Sequence, residues 1–83
     1  MVVKIGGVYQ HFKGNLYLVE DIVINSDKDK EMVLYRALYG EGKRFVRETK
    51  TFVEKLDKQK YPNAKQEYRF KLLKINNISD GKE

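Results

Sequence analysis

The segment Met32–Tyr39 reads MVLYRALY, and its alternation constrains the chain more than any other feature. In a pleated strand, successive side chains point to opposite faces. Val33, Tyr35, Ala37 and Tyr39 therefore share one face, while Met32, Leu34 and Leu38 flank Arg36 on the other. A strand with two apolar faces belongs in the middle of a sheet, so the chain must supply neighbours for it. It has 83 residues to do so, enough for one domain and one core. A chain of this size buries only about 60% of the surface its unfolded form exposes. Because the sequence has no cysteine, it can form neither a disulfide nor a thiolate–metal site.

The neighbours are visible on both sides. Val8–Phe12 reads as a short strand and Lys13-Gly14-Asn15 as its turn, since Gly and Asn accept the positive φ of tight hairpins. Leu16–Ile24 (LYLVEDIVI) reads as a longer strand whose alternation slips at Glu20-Asp21, which predicts a bulge or a sharp bend between sheets there. Asn25–Glu31 is wholly polar and reads as an exposed loop. After Gly40-Glu41-Gly42-Lys43 turns the chain, Arg44–Glu48 reads as the next strand.

The period then changes. Phe52, Val53 and Leu56 lie at helical spacing, and Thr51 precedes Glu54 by three as in a capping box, which predicts one or two helical turns. Asp57–Lys65 reads as a loop around the sole proline, and Gln66–Lys74 as a half-exposed strand with Tyr68, Phe70 and Leu72 alternating against Arg69 and Lys71. The expected fold is all-β: about five strands with one short helical turn over residues 1–75, curled into a small closed or half-open barrel. Residues 76–83 (NNISDGKE) read as a flexible tail.

Charge is unevenly spread. The net charge is +5, yet residues 1–42 hold five Lys/Arg against six acids. Residues 43–74 hold eleven Lys/Arg against four. A basic half attracts nucleic acid or an acidic protein surface, although the same excess also serves solubility alone. No apolar run approaches the roughly 18 residues of a membrane span. The chain reaches Lys4 and two glycines without an apolar leader, so the expected compartment is the cytoplasm.

Three segments go beyond generic strand patterning. They are Gly7-Val8-Tyr9-Gln10-His11-Phe12-Lys13-Gly14-Asn15-Leu16-Tyr17-Leu18-Val19, then Val33-Leu34-Tyr35-Arg36-Ala37-Leu38-Tyr39-Gly40, then Phe45-Val46-Arg47 with Phe52 behind. Their order and spacing over residues 7–56 resemble the small bacterial proteins grouped as domain of unknown function 1653. That family carries G-x-Y-x-H-aromatic-K-G-N-x-Y-x-V, then V-Y-x-x-L-Y-G, then an aromatic-V-R-P. Here Phe45 stands where the family usually has Trp, and Glu48 where it has Pro. The resemblance implies an SH3-like barrel and brings no activity with it.

Catalytic chemistry finds few residues to use. His11 is the single histidine, and Ser26 and Ser79, in the polar loop and the tail, are the only serines. Neither placement suits a nucleophilic triad. Asp27, Asp29 and Glu31 alternate like a calcium loop but lack its central glycine and distal glutamate. Gly40-Glu41-Gly42-Lys43-Arg44 has the ending of a phosphate loop, but Ala37 replaces its first glycine and a strand follows it. No cofactor or metal is expected, and the chain reads as a non-enzyme.

What remains is an aromatic and basic set. Tyr9, His11, Lys13, Tyr39, Arg44, Phe45 and Arg47 are the expected ligand-binding residues, and Tyr17, Tyr35 and Arg36 the expected structural ones. Arg36, set mid-strand among apolar neighbours, needs a carboxylate from Glu20, Asp21 or Glu48. Aromatic rings beside Arg and Lys suit bases that stack while phosphates are neutralised, which points to RNA or single-stranded nucleic acid. The same pattern suits a protein or peptide groove, or a small ligand. In the plainest reading, the tyrosines are simply the barrel wall.

Overall fold

A computed structural model of the chain describes residues 2–74. Its elements run β1 (Val8–His11), β2 (Leu16–Asn25), β3 (Lys30–Ala37), β4 (Arg44–Glu48), α1 (Thr49–Phe52) and β5 (Phe70–Leu72). The strands form one antiparallel sheet in the order β4-β3-β2-β1-β5. The fold is therefore all-β with one short helix, and the doubly apolar strand does lie inside the sheet. The expected tail over residues 76–83 lies outside the described residues. No helix among the described residues is long and apolar enough to cross a membrane.

The bulge is where the slipped alternation puts it. Val19 pairs with Tyr35 and Asp21 with Leu34, so the register shifts across Glu20. Without that extra residue, Asp21 would share a face with Tyr17 and Val19. With it, Asp21 turns outward and Ile22 packs against the core. The β2–β3 connection is tighter than the expected loop. Lys30 and Glu31 already belong to β3, and the Asn25 side-chain oxygen accepts the N–H groups of Asp27 and Lys28.

The core is mostly aromatic. Tyr9, Val19, Val33, Tyr35, Phe52 and Phe70 form its buried cluster. Phe52 and Phe70 stack face to face with centroids 4.1 Å apart, and Tyr9 and Tyr35 each meet Phe52 edge-on at 5.4 Å. Burial of rings this large supplies much of the driving force in so small a chain. Phe52 reaches this place because α1 is a single turn that carries it over the inner face of the sheet.

The helix begins earlier than the capping-box reading placed it. Its N-cap is Glu48, which makes no side-chain cap bond, and Thr51 lies inside the turn. Glu48 has φ −54° and ψ 137°, the extended region that proline would impose. The Glu at the family's proline position thus keeps the proline-like backbone.

The last strand is also shorter than expected, three residues rather than nine. Before it, Leu56 donates its N–H to the Glu67 carbonyl and Arg69 donates to Glu54, closing a short ribbon around residues 57–66. That loop is held from within. Asp57 accepts the N–H of Gln59, and the Lys58 ammonium donates to the carbonyls of Ala64 and Gln66.

Candidate functional site

Strand parity sorts the expected site residues onto two faces. On β4, Phe45 and Arg47 lie opposite Tyr35 and Val33, the buried residues of the inner face. Arg44 and Val46 lie opposite Arg36 and Leu34 on the outer face. Among the described residues β4 and β5 are not paired, so the sheet is open between its two ends and the inner face meets solvent there.

Six rings and one guanidinium gather at this mouth. Tyr17 is half-buried at its centre, with Tyr35, Tyr39 and Phe70 within 5.8 Å of its ring and Phe45 and His11 within 6.4 Å. Its hydroxyl lies 2.9 Å from that of Tyr39. Burial first, then this bond, pushes the Tyr17 pKa up to about 12, so the Tyr17 phenol stays protonated, and one of the two hydroxyl hydrogens is used within the pair. Tyr39 and Phe45 are 45% and 40% exposed, which leaves ring faces free. Ala37, Tyr39, Gly40, Glu41, Lys43 and Phe45 enclose a shallow cavity of about 320 Å³ beside them.

Arg47 enters the mouth on the side of the buried core. Its Nε donates to the Tyr35 hydroxyl at 3.2 Å, and its guanidinium carbon lies 6.0 Å from the Phe70 ring centre. No carboxylate pairs with it among the described residues. It is a cation oriented by one neutral hydroxyl.

His11 faces it across Phe70, whose ring centre is 5.0 Å from the imidazole. The Lys13 backbone N–H donates to Nδ1 at 3.1 Å, which leaves Nε2 to carry the hydrogen of the neutral ring. Burial, and then the charges of Arg69, Arg47 and Lys13, lower its pKa from 6.5 to about 4. The charged groups that act on His11 are all cations. A base paired with an acid is not what this geometry makes.

Two expected ligand residues are elsewhere. Tyr9 is fully buried, its ring against Phe52 and its hydroxyl accepting the Lys4 backbone N–H at 2.9 Å, so it belongs to the core. Arg44 is on the outer face, where Glu20 holds it: its Nε lies 2.9 Å from one carboxylate oxygen of Glu20, while Arg36 Nε lies 2.8 Å from the other. Glu20 thus bridges two arginines that are direct cross-strand partners and would otherwise repel. Arg36 has a carboxylate partner, but as a half-exposed ion pair rather than a buried one.

Lys13 is exposed, with its ammonium 5.8 Å from the Phe12 ring. Tyr17, expected to be structural, proves to be the centre of the mouth. Phe12 and Tyr61, absent from the expected site, continue the aromatic surface beyond His11. No local pattern joins these two residues, since only the folding back of the 57–66 loop brings them together. Among the described residues there is no group of three or more side chains able to hold a metal.

The chain matches the family model described as "Protein of unknown function (DUF1653)" over residues 7–72. It is also similar to a solved structure, the crystal structure of a DUF1653 protein from Bordetella bronchiseptica. The two are 25% identical with a TM-score of 0.67, over 89% of this chain and 90% of that one. No curated protein matches the sequence. Motifs, fold similarity and family match agree, and the chain belongs to the DUF1653 family.

Proposed function

We propose that this chain is a non-catalytic binding module for RNA or single-stranded nucleic acid, and that the open mouth of an SH3-like half-barrel is its binding surface. The SH3-like reading rests on the meander in which the last strand returns to pair with the first. The observation that carries the functional reading is Arg47: a cation with no acidic partner among the described residues, held on the buried rings of Tyr35 and Phe70 on the same face as exposed Phe45. Stacking of a base on such a ring contributes about 1–3 kcal/mol and tolerates any sequence. Arg47 and Lys13 then supply the phosphate contacts. The absence of cysteine, and a neutral His11 on which only cations act, favour binding over bond-breaking.

A titration with a mixed-sequence RNA oligonucleotide, repeated at stepped salt, tests this reading. Log affinity should fall linearly with log salt, by a slope of about 0.7 per phosphate neutralised on a single strand. No binding at low salt refutes it. The second reading, a peptide adaptor, is favoured by the unpaired edge of β4, where Phe45 and Val46 are exposed. It predicts amide shifts along β4 with a peptide and none with the oligonucleotide.

A further inference from the structure

The aromatic surface does not stop at the mouth. From Tyr39 it runs through Tyr17, His11 and Phe12 to Tyr61, in ring-centre steps of 5.6, 6.4, 4.5 and 4.7 Å. Tyr39 is exposed and the other four rings are half-buried, so each rests on the protein and shows part of itself to solvent. Three stations stand along it: exposed Tyr39 at one end, the stacked pair His11 and Phe12 in the middle, and Tyr61 at the other end.

We propose that these stations are one track that takes three consecutive, unstacked nucleotides of a single strand, with Tyr61, beside Phe12, as its far subsite. The inference rests on the nucleic-acid reading above and extends it to residues outside the mouth. Each ring step exceeds the roughly 3.4 Å that separates stacked bases along a strand. Bases bound here must therefore leave one another and lie on protein rings, as splayed single-stranded bases do.

Cations accompany the track. Arg47 lies over Phe70, whose ring also meets His11, and the ammonium groups of Lys13 and Lys60 lie 5.8 and 5.5 Å from the Phe12 and Tyr61 rings. Nearby acids are engaged or offset. Asp57 caps its own loop, Glu54 and Glu67 pair with Arg69 and Lys55, and Glu41 sits beside Lys43 at the Tyr39 end. The far subsite is also held in place. Phe12 donates its N–H to the Arg69 carbonyl, and Tyr61 donates to Asp57 within a loop tied down by Lys58.

The test is a calorimetric titration of the full chain with uridine monophosphate and with oligouridylates of two, three, four and six nucleotides. Uridine stacks poorly on itself, so affinity gained with length reports stacking on the protein. Affinity should climb steeply to three nucleotides and only statistically thereafter. Tyr61→Ala should weaken the trimer by about tenfold while changing the monophosphate less than about twofold. Lys60→Gln, which leaves both rings in place, should lower the salt slope for the trimer by about one phosphate.

A plateau at one or two nucleotides overturns the track and leaves the mouth as the whole site. Equal losses of monophosphate and trimer in Tyr61→Ala also overturn it, as does an unchanged salt slope in Lys60→Gln. Failure of every oligonucleotide to bind removes the nucleic-acid reading itself, and the track with it.

Discussion

Arg36, Arg44 and Arg47 share a charge and differ in what holds them. Glu20 engages the first two, and only the Tyr35 hydroxyl orients the third. A guanidinium held by a neutral partner keeps its charge available to a ligand, while a bridged one is largely satisfied. Replacing Arg47 by Ala should thus abolish most oligonucleotide affinity and change stability by less than about 1 kcal/mol, the usual range for a partly exposed hydrogen bond. Arg36→Ala should do the reverse, lowering the melting temperature with affinity intact. Parallel titration and thermal melts of both variants check the division, and equal effects of the two substitutions would contradict it.

At the scale of elements, the β2 bulge does two jobs at once. It turns Asp21 out and Ile22 in, and it sets Glu20 between the Arg36–Arg44 cross-strand pair. Glu20→Gln keeps the shape and removes the charge that separates two like neighbours. It should destabilise by about 1 kcal/mol, since the pairs are partly exposed, and more at low salt than at high. A melting temperature indifferent to salt in both proteins would argue against a bridging role. Gly7, ahead of β1, works by its lack of a side chain. A Cβ there would lie 2.9 Å from a Leu72 methyl and 3.0 Å from the Lys4 carbonyl oxygen. The methyl can turn away but the backbone cannot, so Gly7→Ala should cost about 1–3 kcal/mol through overpacking. Denaturant midpoints measure it, and a neutral result would mean that the segment before β1 yields easily.

For the whole molecule, His11 links folding to pH. Its pKa falls from 6.5 to about 4 on folding, through burial and the cations Arg69, Arg47 and Lys13. Between those values the unfolded chain holds a proton that the folded chain lacks, so stability rises with pH across that window. Acidification from about pH 7 to pH 5.5, above the main carboxylate range, should destabilise the domain by about 1 kcal/mol once solvent screening of a partly exposed ring is allowed for. Thermal melts at both pH values should show a drop that His11→Gln largely removes. A variant with the parent's pH dependence would place the effect in another group.

Local periodicity made most of the architecture legible. Pleat alternation marked the doubly apolar strand, its slip marked the bulge, and a change of period marked the helical turn, since each depends only on residues close in sequence. Three-residue spacing already put Arg44 and Arg47 on opposite faces, and grouping them by composition overlooked the pleat. Tyr9 and Tyr17 look alike in sequence, both on strands and both inner-facing, yet one is sealed and the other opens on the mouth. That difference depends on where α1 lays Phe52 and where β5 ends. The meeting of Phe12 with Tyr61 likewise needs the 57–66 loop to fold back on the first hairpin. Strands and turns follow from neighbours along the chain, whereas the accessible faces follow from which distant segments close over the sheet, and only the tertiary structure contains that.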